Sequence, residues 1–293
     1  MKKIVLLSGF LFIVFAFISC HKGERVTPAN GIKLTLDATD LQQAAADNSF
    51  TFNLFQTVAA GNSNSSNLFL SPLSVSMALG MTSNGANGQT LTAMQNTLGF
   101  NGFSLDQSNS YFNKLVTQLP ELDPNTTLKI ANSIWYRQDF SVLPAFLQTN
   151  TTNFKANIQA LDFNNPSSVS TINNWVSGAT NGKITQIINQ INSTDVMYLI
   201  NAIYFKSTWA SKFDASQTSM ALFTRADNSG VQTNFMNGMI NCNFYRGADA
   251  TLVELRKMLG GKASVVTVWR ALRDLRLSLK KRVSVPRSRI ART

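Results

Sequence analysis

The stretch DVMYLINAIYFK, residues 195–206, points to a strand in a large β-sheet. Successive side chains of a strand alternate between its two faces, and both faces of this stretch are apolar. Because a strand that is apolar on both faces is covered on both sides, we expect a central strand. Asn201 is the exception, and a buried amide is either hydrogen-bonded or costs about 1–3 kcal/mol. We therefore interpret Asn201 as a satisfied structural amide or as a polar lock that holds a sheet shut.

The segments around this strand predict helices and strands in mixed order. Ser71 and Pro72 mark a helix start, with Ser71 as a side-chain N-cap and Pro72 in the first helical position. The pair Asn181-Gly182 supplies the turn that ends a later helix. Helices are predicted at 49–60, 72–81, 143–156 and 170–184, strands at 127–138 and 251–255, and strands with their connections at 212–223 and 231–239. This order lacks regular β-α-β alternation, so it favours an α+β fold with a large sheet covered by helices.

The charge of the chain is confined to its last residues. Residues 1–255 carry 14 basic and 14 acidic side chains, whereas residues 256–293 carry 12 basic side chains and only Asp274 as an acid. Residues 1–255 also contain 30 asparagines, and residues 256–293 contain none. The high overall charge is therefore no indication that the body of the chain binds nucleic acid.

The N-terminus has the pattern of an export signal. Lys2 and Lys3 precede an apolar run at 4–18, which is shorter than the roughly 20 residues that a membrane-spanning helix needs. The run ends at Cys20, and the segment resembles a bacterial lipoprotein signal in which the cysteine is lipidated after cleavage. The alternative is an ordinary secretory signal in which Cys20 has no role. In either case Cys242 stands alone, and no internal disulfide is expected.

Few kinds of catalytic chemistry fit this composition. The single histidine, His21, lies in or directly behind the leader, which removes histidine-based nucleophilic catalysis and histidine zinc sites from the body. No Gly-rich phosphate loop follows a strand. Asp162, Asp195 and Asp214 are scattered, so a two-carboxylate hydrolase requires them to meet in space. We expect no enzyme, no metal and no cofactor.

Six segments in order resemble the serpins, the family of serine protease inhibitors. They are NLFLSPLSVSMALGM with GANGQT (67–90), ANSIW (131–135), FKANIQALDF (154–163), INNWVSGATNGKI (172–184), LINAIYFKSTW (199–209) and LVEL (252–255). The resemblance implies several helices around three β-sheets. It also implies that a protease attacks an exposed reactive loop, which then inserts into the main sheet and traps the protease as an acyl-enzyme. The energy for that step is stored in a metastable native state.

The resemblance also assigns roles to residues of the body, each of which is otherwise ordinary core or turn chemistry. Ser71, Ser74 and Asn201 match the shutter beneath the centre of the main sheet, where the sheet opens. Trp209 matches the breach, where insertion begins. The remaining matches form the T-x-G-K signature of the family: Thr180, Gly182 and Lys183.

The resemblance weakens after Leu255, where Arg256-Lys257 replaces the Pro-Tyr of the family. We expect the reactive loop and the C-terminal strands to be absent from residues 1–293. Residues 256–293 are therefore interpreted as a divergent, shortened continuation, as a frameshifted or wrongly joined end, or as a basic arm for anionic surfaces. In the third case 270–282 could form a basic helix, with a membrane surface as its partner.

These observations predict a bacterial, exported lipoprotein that is membrane-anchored or extracellular. Its expected parts are a signal at 1–20, a tether at 21–39, a partial serpin domain at 40–255 and a basic tail at 256–293. The expected function is inhibition of serine or cysteine proteases, with inhibition by this chain doubtful because its reactive loop is missing. The alternative is a non-inhibitory binding or structural lipoprotein on a serpin scaffold. We expect a monomer with proteases and the membrane as partners and no nucleic acid.

Overall fold

The computed structural model describes residues 31–62, 68–209, 212–225 and 227–238, and the backbone of strands at 244–246, 251–259 and 262–271. The described helices are α1 (Ala38–Gly61), α2 (Pro72–Ser83), α3 (Gly88–Leu98), α4 (Leu105–Gln118), α5 (Pro144–Phe154) and α6 (Ser167–Ala179), with short 3-10 turns at Leu119–Glu121 and Ala215–Gln217. The strands are β1 (Thr127–Arg137), β2 (Asn157–Leu161), β3 (Met197–Lys206), β4 (Ser219–Thr224), β5 (Gly230–Phe235), β6 (Phe244–Arg246), β7 (Thr251–Leu259) and β8 (Lys262–Ala271). They confirm the α+β class, with helices and three sheets.

The quoted stretch forms β3, in a sheet with the order β2–β1–β3. Strand β1 pairs parallel with β2 and antiparallel with β3. The expectation that β3 is a central strand is wrong for the described strands, because β3 pairs only with β1 and β1 lies in the middle. The physical reason is that faces and edges are independent. An apolar pattern on both faces reports cover by helices, and it carries no information about the number of neighbouring strands.

One face of this sheet packs on a helical core. Ile134 of β1 is fully buried, and Met197 and Leu199 of β3 pack against the same cluster. The buried members of this cluster come mostly from the helices: Phe50, Met77, Met81, Leu98, Phe100, Tyr111, Phe112, Leu115, Val116, Ile134, Phe146, Phe154 and Ala156. In the helix predicted at 49–60, Phe50 is buried and Leu54 packs against the cluster.

The other face of the sheet is covered by α6. Trp135 and Ile200 project from the sheet into a second cluster, where Ile172 and Val176 of α6 are fully buried. The indole of Trp135 meets that of Trp175 edge to face, with ring centroids 6.1 Å apart. The helix predicted at 170–184 therefore covers the sheet through Ile172 and Val176, although it ends at Ala179.

Helix α1 begins with an acidic capping box. The side chain of Asp37 accepts a hydrogen bond from the backbone N–H of Asp40, and the side chain of Asp40 accepts one from that of Asp37. Lys114 of α4 donates to both carboxylates, at 3.0 Å from Asp37 and 2.5 Å from Asp40. The hydrogen bond from the backbone of Asp40 and the one from Lys114 lower the pKa of Asp37 to about 2. These contacts attach the first turn of α1 to α4.

The two remaining sheets follow β3 in the chain. Strands β4 and β5 form an antiparallel hairpin that overlaps the segments predicted at 212–223 and 231–239. All six residues of β4 are exposed. Strands β6, β7 and β8 form an antiparallel sheet in that order. The strand predicted at 251–255 is confirmed as β7, which continues to Leu259 and so crosses the point where the composition changes.

Candidate functional site

An asparagine pair joins the two long strands of the β2–β1–β3 sheet. The register places Asn132 of β1 directly opposite Asn201 of β3. The Asn201 Nδ2 donates to Asn132 Oδ1 at 2.8 Å, and Asn132 Nδ2 donates to the backbone carbonyl of Phe154 at 2.7 Å. Asn132 is only 2% exposed. This relay connects β3 through β1 to the end of α5 in a region that excludes water, where each hydrogen bond costs most to break.

Helix α2 lies against the same asparagine pair. The Sδ atom of the fully buried Met77 is 3.5 Å from Asn201 Nδ2, so this amide also makes a weak hydrogen bond to sulfur. The Oδ1 atom of Asn201 is buried and has no hydrogen-bond partner within the described part of the chain. The predicted need for a hydrogen-bonded amide is thus met for the amide nitrogen, while the amide oxygen keeps an unused acceptor.

Ser71 and Ser74 lie together at the start of α2. Their hydroxyl oxygens are 2.8 Å apart, with Ser71 exposed and Ser74 half-buried. Pro72 occupies the first turn as predicted, but the expectation that the Ser71 side chain caps the helix is wrong. The hydroxyl of Ser71 bonds to Ser74 one turn further on and reaches no backbone N–H. Asn201 forms its hydrogen bonds with Asn132 and Met77. The two serines are therefore related to Asn201 only through α2, the helix that also carries Met77.

Trp209 lies three residues beyond the end of β3. Its ring is half-buried and meets the ring of Phe213 edge to face, with centroids 6.1 Å apart and an interplanar angle of 87°. The T-shaped geometry places the positive edge of one ring against the negative face of the other. Trp209 is therefore ordered by an aromatic neighbour at the end of β3 that leads toward the β4–β5 hairpin.

The signature residues form the turn that ends α6. The buried hydroxyl of Thr180 donates to the carbonyl of Val176 at 2.8 Å and accepts from the N–H of Ile184 at 3.0 Å. Gly182 has φ +71° and donates its N–H to a carbonyl five residues earlier in the helix. This is a helix end that needs a left-handed residue, as predicted for Asn181-Gly182. Lys183 is exposed. This turn ends α6, and no hydrogen bond among the described residues links it to the asparagine pair.

Two partners in these sites are not predicted from the sequence. Asn132 lies in ANSIW on the same face as Ile134, but only the strand register shows that it opposes Asn201. Lys129 of β1 donates from Nζ to the side-chain oxygen of Asn181 at 2.7 Å, which ties the signature turn to the sheet. Alternation within β1 could have marked Asn132 as inward-facing, whereas a contact across 52 positions has no local signal.

Two of the three scattered carboxylates, Asp195 and Asp214, have lowered pKa values. Asp195 accepts hydrogen bonds from the hydroxyl of Tyr198 and from Asn192, and these lower its pKa. The pKa of Asp214 is lowered by hydrogen bonds from Ser216. A general acid needs a raised pKa, so these two residues lack the property required of them. Among the described residues there is also no group of three or more His, Cys, Asp or Glu side chains that could hold a metal. Cys20 and His21 lie outside the described residues.

The geometry defines an α+β domain in which helices cover both faces of a sheet that is linked internally by a polar cross-strand pair. The family model for "Serpin (serine protease inhibitor)" matches residues 45–269. The chain belongs to the serpin family, whose members are in general protease inhibitors and not catalysts.

Relatives and solved structures agree with this assignment. The chain is 33% identical to antithrombin-III of Bos taurus over 71% of this chain and 46% of that protein. It superimposes on the native state of tengpin, a thermophilic serpin, with a TM-score of 0.70 and 32% identity over 85% of this chain and 61% of that one. Human thyroxine-binding globulin, solved in complex with thyroxine, gives a TM-score of 0.68 and 28% identity over 75% of this chain and 60% of that one. The chain spans between 46% and 64% of the length of the curated relatives it matches.

Proposed function

We propose that this chain belongs to an inhibitor of serine or cysteine proteases that works by insertion of a cleaved reactive loop into the β2–β1–β3 sheet. The observation that carries the proposal is the asparagine pair. Asn201 lies on a strand that pairs on one edge only among the described strands, and its Oδ1 atom has no described donor. The edge of β3 that is unpaired among the described strands leaves backbone groups free for an added strand, and the Oδ1 atom of Asn201 leaves an acceptor free for a new hydrogen bond.

The shutter and breach roles of Ser71, Ser74, Asn201 and Trp209 are part of this proposal. Support for the shutter comes from the packing of α2 directly beneath β3, with Met77 in contact with Asn201. Support for the breach is limited to the position of Trp209 at the end of that strand. None of these side chains is proposed to touch a protease.

The reactive loop stays a prediction in this proposal. The expectation from the sequence is that residues 1–293 lack it, and we therefore propose that inhibition by this chain alone is weak or absent. The residue that would select a target protease is not identified, so target specificity is left open.

The proposal is tested by incubating the chain with trypsin-like and elastase-like proteases. A covalent complex that survives SDS supports inhibition by the chain itself, because the trapped acyl-enzyme is a covalent ester. Cleavage of the chain without a trapped complex refutes inhibition by the chain alone and agrees with the proposed absence of the reactive loop from residues 1–293. The matched control is the same protease inactivated at its nucleophile, which must give neither complex nor cleavage.

The alternative function is a non-inhibitory binding or structural protein on the serpin scaffold. The match to thyroxine-binding globulin favours it, since that protein is a serpin-like structure that holds a small molecule, thyroxine. Under this alternative, the chain should be degraded by proteases as an ordinary substrate and should change neither their rate nor their final activity.

Residues 256–269 are proposed to continue the serpin domain. The family match extends to residue 269, and β7 crosses Leu255 to pair with β8. Both observations favour a divergent continuation over a wrongly joined end for these residues. The nucleotide sequence beyond codon 255 provides the test. A second reading frame that encodes Pro-Tyr and then small residues would support the frameshift hypothesis instead.

Cys20 is proposed as a lipid anchor of an exported, monomeric bacterial protein. Support comes from the charged, apolar and small-residue pattern of the leader. None of the described helices combines the length and apolar character needed to cross a membrane. Substituting Cys20→Ala should move the protein from the membrane fraction to the soluble fraction. Retention of the Cys20→Ala variant in membranes would contradict lipidation at this residue.

A further inference from the structure

A half-buried carboxyl joins three helices away from the asparagine pair. Asp47 of α1 accepts a hydrogen bond from Ser76 Oγ of α2 at 2.6 Å and one from Tyr111 Oη of α4 at 2.8 Å. Ser76 is 1% exposed and Tyr111 is 3% exposed. We call these three side chains the Asp47 joint. It is where α1 makes its central polar attachment to the rest of the helical core.

The Asp47 joint contains no cation. The salt bridges of the described residues involve Lys114 with Asp37 and Asp40, and Arg137 with Asp139, so none reaches Asp47. An ionised carboxylate in this position receives two neutral hydroxyl donors, although its two oxygens can accept about four. Gln43, one turn earlier on α1, is fully buried with both amide atoms unpartnered within the described chain. The surroundings therefore stabilise a negative charge poorly.

The other charged groups near the joint are few. Helices α2 and α3, which pack on α1, contain no titratable residue. From α4 the titratable residues are Tyr111 and Lys114, with Asp106 exposed at the start of that helix. On α1 itself Asp40 is buried and held by Lys114. Among the described residues at this contact, Asp47 is therefore the ionisable group whose negative charge has no neighbouring cation.

We propose that the Asp47 joint is a pH-responsive attachment that holds α1 most tightly in mild acid and loosens it as the pH rises to neutrality. Each hydroxyl can donate or accept, so both contacts can persist when the carboxyl is neutral. When it is ionised, the charge is better solvated with α1 detached and exposed to water. Local opening of α1 is then favoured at neutral pH, without unfolding of the whole domain.

The direction of the effect follows from linkage. Burial raises the pKa of Asp47 above its ordinary value of 3.8, against the smaller opposing effects of the hydrogen bonds from Ser76 and Tyr111. A carboxyl with a raised pKa in the attached state contributes its full stabilisation below the ordinary pKa. That stabilisation is lost as the pH rises through the raised pKa. Burial and the adjacent Asp47 also raise the pKa of Tyr111, so Tyr111 stays a neutral donor throughout.

Hydrogen exchange of the full chain tests the proposal. Peptides covering α1 are followed by mass spectrometry between about pH 4 and pH 7.5, with intrinsic exchange rates corrected. We expect the opening constant of α1 in the native chain to rise about tenfold or more over this range relative to Asp47→Asn. The asparagine variant keeps the shape and one acceptor oxygen but cannot ionise.

Two further variants keep the test decisive. Tyr111→Phe removes one donor to the carboxylate, so its α1 should open more steeply with pH than in the native chain. Asp139→Asn removes an exposed carboxylate outside the joint and should leave the profile of α1 unchanged. Equal pH profiles in the native chain and Asp47→Asn would overturn the proposal. If Asp47→Asn does not fold, a Tyr111→Phe profile that is flatter than or equal to the native one would overturn it.

Discussion

Substituting Asn201→Ala is predicted to destabilise the domain through one buried acceptor. The variant removes the amide that donates to Asn132 Oδ1 at 2.8 Å, so that oxygen is left without this donor in a site that is 2% exposed. Stranding a buried acceptor costs about 1–3 kcal/mol. The substitution also removes the unpartnered Oδ1 of Asn201 itself, which offsets part of that cost. We therefore expect a net loss of about 1–2 kcal/mol in the free energy of unfolding.

The companion variant Asn132→Ala should lower the free energy of unfolding more, because it removes the partner of two different hydrogen-bonding groups. It leaves the carbonyl of Phe154 without the Asn132 donor and leaves the Nδ2 atom of Asn201 with only its weak hydrogen bond to Met77. A loss of about 2–4 kcal/mol follows from two such groups. The double variant should lose less than the sum of the single losses, with a coupling of about 1 kcal/mol, since each single variant already breaks the shared hydrogen bond.

Urea denaturation followed by circular dichroism measures all three losses, provided that the slope with denaturant is unchanged. The matched control is Asn234→Ala, an exposed asparagine on β5, for which a change within about 0.5 kcal/mol is expected. Two results would refute the reasoning: no destabilisation in Asn201→Ala, or single-variant losses that add within about 0.3–0.5 kcal/mol in the double variant. Either would mean that the asparagine pair is not an energetic link between β1 and β3.

Two glycine positions give further predictions. Gly182→Ala should cost about 1–2 kcal/mol, because φ is +71° there and a left-handed conformation strains a residue with a Cβ. Its control Gly178→Ala lies within α6 with open space at its Cβ position and should stabilise by about 0.5–1 kcal/mol. Gly80→Ala places a Cβ 2.6 Å from the ring of Phe112 and should cost about 1–3 kcal/mol by overpacking. Urea denaturation checks each of them. A neutral Gly182→Ala or Gly80→Ala would show that the turn or the α2–α4 contact relaxes freely.

Helix and strand positions were largely predictable because they depend on local periodicity. The segments at 127–138, 143–156 and 170–184 became β1, α5 and α6 with shifts of a few residues at their ends. End positions were less predictable, as Ser71 shows. Its hydroxyl bonds to Ser74 and not to a backbone N–H, and Ser71 enters α2 with φ −120° and ψ 85°.

The candidate site was predictable in part. Asn201 stood out as a polar residue on an apolar face, and the family resemblance marked it with Ser71, Ser74 and Trp209. Its partners did not stand out. Asn132 is 69 positions away and Met77 is 124 positions away, so neither contact leaves a local pattern. The same holds for Asp47, whose donors Ser76 and Tyr111 lie 29 and 64 positions further along.

The sequence by itself determined the α+β class, the family, and the elements whose apolar spacing repeats over one or two turns or along one strand. Tertiary structure alone decided that β1 lies between β2 and β3 and that Asn132 faces Asn201. It also decided that Asp47 meets two hydroxyls and, among the described residues, no cation. The physical reason is the range of the interactions involved. Periodicity is set by neighbours a few residues apart, whereas strand register and polar pairing are set when distant segments share one dry interior.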